Sequence, residues 1–276
     1  QLILVTAGIS VLLMGVCLIA NRSLLNMVFG EAEADVMTNS EIYFFWSALS
    51  YPFLALYNAG AALFRAMGNS RISMLTSLLM NALNIGGNAL LIYVAKMGVA
   101  GAAISTLFSR FVGAVIMLAL LRLRHQLIRL DSLIRLEFHP HMIRQILGVG
   151  VPNGLENGMF QIGKILVQRL ITALGTASIS ANAVANTVAA LPQIPGAAIG
   201  LAMITVVGQC IGAGEQEQAK SYTLRLTGLA YASMSVLCIL EVVLVGPIVG
   251  FFNLSAQTAE LARELLTYHG ITCLIL

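Results

Sequence analysis

Eight long apolar segments dominate this chain and leave it little choice of fold. A bilayer-crossing helix needs roughly 20 consecutive apolar residues, and lipid cannot satisfy backbone polar groups, so such segments form helices. The last segment carries charged residues at its start and is too short to cross. We predict an all-α, polytopic membrane protein. The segments run over approximately 2–20, 42–63, 72–95, 98–121, 146–173, 178–211, 224–252 and 264–276.

Composition supports this class and excludes a soluble domain. Hydrophobic residues make up 58% of the chain and charged residues only 10%, whereas soluble domains are about 25% charged. The net charge of +3 does not indicate a nucleic-acid partner, because the basic residues do not form a soluble face. The four cysteines are scattered through apolar segments without metal-ligand spacing, so we interpret them as small apolar side chains.

The basic residues alternate between the two ends of the segments. Nine belong to one side, and three belong to the other, which also carries most of the acids. Because cytoplasmic loops are enriched in lysine and arginine, we predict that the first set faces the cytoplasm. The first set is Arg65, Arg71, Arg122, Arg124, Arg129, Arg135, Arg144, Lys220 and Arg225, and the second is Arg22, Lys96 and Arg263.

The segment 122–145 is the longest connection, and its leucines and isoleucines recur near helical spacing between arginines. We predict an amphipathic linker along the inner leaflet, with a lipid-sensing segment as the alternative. It divides the chain into a part at 1–121 and a part at 146–276.

An internal repeat relates these two parts. Residues 20–49 are echoed about 223 positions later by residues 243–272, and Glu41 falls over Glu264. Repeated groups of transmembrane helices are typical of transporters, whose related halves rock about a central site.

Several motifs follow one another in a distinctive order. A run at 58–70 containing Gly68-Asn69-Ser70 precedes three asparagines and the segment 98–103; later come 150–155, 192–200 and the turn at 208–215. In this order they resemble helices 4 to 8 of the multidrug and toxic compound extrusion (MATE) family.

The resemblance implies two pseudo-symmetric lobes of six helices each. The chain would contain helices 3–6 of the first lobe and helices 7–10 of the second, truncated at both ends. It further implies a monomeric protein of the cell (inner) membrane, surrounded by lipids, that exports cationic or amphipathic organic compounds in exchange for Na⁺ or H⁺. It implies no cofactor beyond that coupling ion.

An antiporter needs an acid that can hold either a cation or the coupling ion, and ionisable residues inside a membrane are functional candidates. Glu156 is the leading candidate. Lys164 lies eight residues on, nearly on the same helical face. We expect Lys164 to be its resting partner, and the alternative is a packing network. The face is also polar at Asn153, Asn157 and Gln161.

Other polar residues within segments either line a substrate cavity or satisfy backbone groups freed by prolines. They are Asn182, Asn186 and Gln193 in the second part, and Tyr57, Asn58, Asn84 and Asn88 in the first. We expect Glu241 to lie near the outer interface and stay hydrated. We expect Arg110 to pair with an acid or with helix carbonyls.

A second hypothesis is a lipid-linked oligosaccharide flippase of the same superfamily, which an arginine-rich cavity would favour; a third is an inactive fragment. The turns Gly68-Asn69-Ser70 and Gly212-Ala213-Gly214 lack the spacing of a phosphate-binding loop, so we predict tight cytoplasmic connections there. No HExxH or GxSxG pattern is present either, so the sequence gives no support for enzyme chemistry.

Overall fold

The structure, a computed structural model, describes residues 1–29, 34–122, 139–252 and 254–275. Every regular element in those ranges is helical, which confirms the all-α prediction. The first six helices are α1 (Leu2–Ile19), α2 (Asn21–Phe29), α3 (Ala34–Leu49), α4 (Tyr51–Ala66), α5 (Ser70–Asn88, continued by a π-helical stretch Ala89–Val94) and α6 (Gly98–Leu121). They are followed by α7 (Pro140–Ala173), α8 (Thr176–Ala189), α9 (Gln193–Gly212), α10 (Gln216–Val243), α11 (Val245–Phe251) and α12 (Ala256–Ile275).

The chain forms two compact units, unit 1 (Gln1–Leu155) and unit 2 (Glu156–Leu276), so the boundary falls inside α7. The predicted division at 121 and 146 stays a prediction. Most of the predicted linker, residues 123–138, lies outside the described residues, and residues 140–145 form the start of α7.

Five helical stretches of the described chain are long and apolar enough to cross a membrane. Each lies within or overlaps one of the eight predicted segments. The other predicted segments differ in length, composition or continuity. The five are Leu2–Ile19, Ser70–Val94, Gly98–Leu121, Gln193–Gly212 and Gln216–Val243.

Three of the predicted segments are broken helices. Segment 42–63 is divided at Ser50, segment 178–211 at residues 190–192, and segment 224–252 at Leu244. Pro192 forms the start of α9 and has no N–H to continue α8, which gives one of these breaks a direct cause. Average hydropathy does not register such breaks, because the residues around them remain apolar.

The internal repeat is visible in the backbone. The break between α1 and α2 is at Ala20, with φ −94° and ψ 10°, and the break between α10 and α11 is at Leu244, with φ −95° and ψ 10°. In both places the N–H of the break residue donates to the carbonyl four residues earlier. In unit 1, α1 packs on α3, and in unit 2, α10 packs on α12. The repeat predicted from the sequence is therefore a repeat of structure.

Unit 1 is built around α6, which packs on α3, α4 and α5. Its buried face is rich in small residues, which allow close helix approach without large side chains. A side chain at Gly87 of α5 would collide with Ser105 of α6. The centre of this unit is a cluster of Ala61, Phe64, Met117 and Leu121.

Unit 2 has its main apolar cluster where α8, α11 and α12 meet, while α9 packs on α10. The cluster contains Val188 from α8, Val249 from α11, and Ala262 and Leu266 from α12. Because α12 packs against both α8 and α10, the positions of its polar residues, including His269, are fixed within this unit.

Two predicted tight connections are confirmed. Gly68 lies between α4 and α5 with φ +79°, and Gly214 lies between α9 and α10 with φ +82°. In this left-handed region of φ, glycine has no steric penalty because it lacks a Cβ atom, which explains why both turns contain a glycine.

Candidate functional site in unit 2

Unit 2 contains a cavity of about 710 Å³ between α9, α10 and α12. Its wall combines an aromatic ring, two thioethers and neutral polar groups with small and branched apolar residues. Within the described part of the chain, no aspartate, glutamate, lysine or arginine lines it. The lining residues are Gln193, Gly196, Ala197, Ile199, Gly200, Met203, Leu226, Thr227, Ala230, Tyr231, Met234, Ser235, His269, Thr272 and Cys273.

Close packing between α9 and α10 shapes one side of the cavity. A Cβ atom at Gly196 would lie 2.5 Å from the Sδ atom of Met234, so a larger residue here would displace the end of the Met234 side chain. The Thr227 hydroxyl donates to the Met203 Sδ atom over 3.9 Å, which links the same two helices. The thioethers are flexible and polarizable, so this wall can adapt to irregular apolar ligands.

Behind the wall formed by α12 lies an acid–histidine pair. The Nδ1 atom of His269 is 3.3 Å from the Oε1 atom of Glu241 on α10. The Glu241 side chain is 3% exposed and the His269 side chain is 31% exposed. An ionised carboxylate can only accept, so in that state Nδ1 carries the proton and donates.

The structure corrects the expectation for Glu241. We predicted a hydrated acid, and that prediction is wrong, because α12 packs over α10 and leaves Glu241 buried. Its position near the outer interface stays a prediction. Its Oε2 atom has no hydrogen-bond partner among the described residues. His269 was not among the predicted site residues; the signal available was a histidine inside an apolar segment of the repeat.

Glu156 and Lys164, the leading predicted pair, both lie on exposed turns of α7. Lys164 places its Nζ atom 4.9 Å from the ring centroid of Phe160, a cation–π contact. Within the described structure no ion pair joins Lys164 to Glu156. Their predicted roles in ion and substrate binding stay predictions.

The remaining predicted residues of α7 to α9 fall in different environments. Asn153, Asn157 and Gln161 are exposed along α7. Asn182 is half-buried and donates from Nδ2 to the Oε1 atom of Gln168 over 3.1 Å, which joins α8 to α7. Asn186 is exposed, and Gln193 lines the cavity. Among the predicted site residues of these helices, Gln193 is the one that the cavity wall contains.

The candidates in unit 1 are placed mainly by packing. Tyr57 packs against the core cluster of that unit, and Asn58 is exposed. Asn84 donates to the Thr106 hydroxyl over 3.1 Å and accepts from Asn88 over 3.2 Å. The side chains of these two asparagines therefore join other side chains between and along helices, a role that differs from both of our interpretations.

Arg110 has a different partner from the one we expected. Its Nη1 atom donates to the hydroxyl of Ser50 over 2.6 Å, in the turn between α3 and α4. Ser50 is fully buried and in turn donates to the Ser47 carbonyl over 2.6 Å. The arginine thus ties α6 to the α3–α4 turn through a neutral hydroxyl, where we had expected an acid or a carbonyl.

The profile of the MatE family matches residues 1–90 and 152–276, which is most of the chain. The chain belongs to the MatE family. This confirms the resemblance seen in the motifs and identifies a multi-pass membrane protein of a transporter family.

Curated relatives of this MatE chain are named as multidrug resistance proteins. A probable multidrug resistance protein YoeA of Bacillus subtilis is 27% identical over 221 residues, which cover 78% of this chain and 48% of the relative. A probable multidrug resistance protein NorM of Streptococcus pneumoniae is 26% identical and covers 97% of this chain and 60% of the relative. The chain therefore spans about half to three-fifths of the length of these relatives.

Solved structures confirm the MATE-like fold. The outward-facing conformation of a multidrug resistance MATE family transporter of the MOP superfamily superposes with a TM-score of 0.89 at 20% identity, covering 99% of this chain and 61% of the other. A MOP superfamily transporter from Pyrococcus furiosus superposes with a TM-score of 0.88, also at 20% identity, covering 99% of this chain and 61% of the other.

Proposed function

We propose that this protein is a secondary transporter that exports cationic or amphipathic organic compounds in exchange for Na⁺ or H⁺. The observation that carries the proposal is the cavity in unit 2. Its wall is mostly apolar, it holds about 710 Å³, and among the described residues it contains no lysine or arginine. Binding sites for small organic molecules are apolar clefts of about this size with a few polar groups.

Family membership supports the multidrug part of the proposal, since its curated relatives are named for multidrug resistance. A cavity that recognises many compounds uses adaptable apolar contacts more than fixed hydrogen bonds. Tyr231, Met203 and Met234 supply such contacts. We place the protein in the cell membrane and expect it to act as a monomer.

The flippase alternative receives less support from this site. A lipid-linked oligosaccharide carries phosphate, and phosphate is bound by arginine or lysine. In the described residues of unit 2, the cavity wall offers neither. Arg110 is a partly buried arginine, but it belongs to unit 1 and donates to a serine hydroxyl.

Transport by the full-length protein in sealed vesicles tests the proposal. The vesicles are loaded with ethidium, and Na⁺ and H⁺ gradients are imposed separately. We expect faster ethidium efflux under one of the two gradients than without a gradient. Absence of gradient-dependent efflux, with insertion verified by protease accessibility, would contradict the antiporter and favour the flippase.

Glu156 is tested in the same vesicles, with Glu156→Gln compared against Glu260→Gln. Glu156 lies on α7, whereas Glu260 is an exposed acid near the start of α12. We expect the Glu156 substitution to reduce gradient-dependent efflux at least about tenfold, the size of one lost charged interaction. Unchanged efflux and unchanged ion dependence would remove Glu156 from the site.

A further inference from the structure

The packing of α10 on α12 brings two cysteine thiols together. A Cβ atom at Gly270 would lie 3.4 Å from the Cys238 carbonyl oxygen, so the two helices are close at this level. Cys273 follows Gly270 by three residues, which is nearly one helical turn. The thiols of Cys238 and Cys273 interact directly with each other across the two helices.

The two thiols differ in their access to the cavity of unit 2. Cys238 is completely buried. Cys273 is half-buried and belongs to the cavity wall. A small molecule in the cavity therefore meets the Cys273 thiol first and the Cys238 thiol directly behind it. A compound that bonds to two sulfur atoms finds both at one place.

The surroundings of this pair restrict the ligands that it can hold. Among the described residues, no group of three or more histidines, cysteines, aspartates and glutamates is arranged to hold a metal ion, whereas a structural zinc site uses four ligands. Thiolate anions are disfavoured in apolar surroundings. The pair therefore suits a ligand that reacts with two neutral thiols and leaves a neutral product.

We propose that Cys238 and Cys273 form a binding site for monosubstituted trivalent arsenicals, R–As(OH)₂. Both S–H bonds and both As–O bonds break, and two As–S bonds form. The two protons leave with the two hydroxyl groups as two water molecules, so nothing is oxidised or reduced. The product carries no charge. This site goes beyond the proposed transport of cations, because it needs neither a charged ligand nor an ion gradient.

The cavity accommodates the organic substituent of the arsenical. Met234 lies one turn before Cys238 on the same face of α10, and its thioether and the Tyr231 ring belong to the cavity wall. An aromatic substituent packs on both groups. Once arsenic is bonded to Cys273, the second bond forms within one molecule, at the high effective concentration of a linked contact.

Phenylarsine oxide, which hydrates to the R–As(OH)₂ form with a phenyl substituent, tests the site in the purified full-length protein. The protein is reduced, freed of reductant and mixed with an equimolar amount of the arsenical in detergent. Intact mass spectrometry should show one added phenylarsenic group and the loss of two thiol hydrogens. The adduct should resist the monothiol 2-mercaptoethanol and should be removed by the dithiol 2,3-dimercaptopropanol.

Substitution of either cysteine leaves a single As–S bond at the site. For Cys238→Ser and for Cys273→Ser, displacement by 2-mercaptoethanol should need a concentration at least about a hundredfold lower than for the wild type, the lower end of the gain from two linked contacts. The matched control combines Cys17→Ser with Cys210→Ser, at cysteines of α1 and α9 outside the pair, and should keep the resistance of the wild type.

Three results would overturn the site. They are a wild type that forms no adduct, a wild-type adduct displaced as easily as those of the single variants, and a resistant adduct that persists in both single variants. Should Cys238→Ser fail to fold, Cys273→Ser decides, because that side chain lies at the cavity wall. The adduct forms without a gradient, so ethidium efflux can succeed or fail independently of this site.

Discussion

The two units contain the same helix pair, α1 with α3 in unit 1 and α10 with α12 in unit 2. An acid–base side-chain contact beside this pair is largely exposed in unit 1, and such a contact within the pair is largely buried in unit 2. In unit 1, Arg22 and Glu41 lie 3.6 Å apart near the α1–α2 break, with side chains 81% and 35% exposed. In unit 2, the equivalent of Glu41 is the exposed Glu264, and the acid–histidine pair is buried between α10 and α12. One repeat therefore keeps its ion pair in a polar environment, and the other has moved charge into its interior.

The positions that correspond to the buried pair make the contrast sharper. At the offset of the helix break, Glu241 corresponds to Cys17, and at the offset of the two acids, His269 corresponds to Trp46. Neither residue in unit 1 carries a charge at neutral pH. A helix pair of this shape can therefore be assembled without the acid and the histidine, so packing alone does not require them.

The largest effect is expected from breaking the buried pair on one side. His269→Leu leaves the Glu241 carboxylate buried with no partner, which costs about 3–5 kcal/mol when one member of a buried pair is lost. The double substitution Glu241→Leu with His269→Leu gives unit 2 the uncharged character of unit 1 and should recover most of that loss. Thermal unfolding of the full-length protein in detergent measures both.

If the double variant is no more stable than His269→Leu, unit 2 needs the charged pair to fold. The contrast with the uncharged helix pair of unit 1 would then be contradicted. Recovery of stability in the double variant would show that packing of this helix pair does not require the acid and the histidine.

The next effect concerns the close approach of α10 and α12. A Cβ atom at Gly270 would lie 2.5 Å from the Cγ2 atom of Val242 and 3.4 Å from the Cys238 carbonyl oxygen. Gly270→Ala should destabilise unit 2 by up to about 3 kcal/mol through overpacking. The corresponding residue of unit 1, Ser47, already carries a Cβ atom, so this tightness is particular to unit 2.

Gly228→Ala is the matched control for that measurement, since nothing lies within 4 Å of its added Cβ atom. Equal melting temperatures for the two alanine variants would show that the close approach of α10 and α12 does not limit the stability of unit 2.

A smaller effect is expected at the arginine of unit 1. Ser50→Ala removes the acceptor of the Arg110 guanidinium, and an unsatisfied buried donor costs about 1–2 kcal/mol. Ser10→Ala is the control, because the Ser10 hydroxyl is also buried but bonds the Ala7 carbonyl of its own helix. Thermal unfolding of the two variants should differ, and identical curves would mean that Arg110 finds another partner without loss.

The smallest effect is expected at the exposed pair. Glu41→Gln should change stability by less than about 1 kcal/mol, because water and salt screen exposed ion pairs. The difference from wild type should shrink further as the salt concentration rises. A loss as large as that of His269→Leu would show that the two pairs are energetically alike, whatever their exposure.

The sequence predicted the helical class, the repeat and the two glycine turns, because these depend on local composition and spacing. It did not predict the breaks at Ser50 and Leu244, because hydropathy averaged over a whole segment does not register a break, although Pro52 and Pro247 follow them closely. It also misplaced Glu241. The position of a residue along one segment does not indicate which neighbouring helix covers its side chain. The Glu241 side chain is covered by α12, which is distant in sequence.

The site was less predictable than the fold for the same reason. Gln193 was predicted because it is an amide side chain between two prolines of an apolar segment, whereas no such pattern marks His269 in its own segment. Its importance comes from the contact with Glu241, 28 residues earlier in the chain. Only the packing of α10 on α12 brings the two together.

The matching bends at Ala20 and Leu244 suggest an order of events in the history of this chain. The two copies of this helix share nearly the same backbone angles at equivalent positions, although the residues around the bend differ. The backbone shape has therefore been inherited by both copies, and the side-chain chemistry has not. The bend then belongs to the common ancestor of both halves, while the acid and histidine distinguish one descendant from the other. Duplication gave this protein two similar frameworks, and each was free to acquire its own set of polar residues.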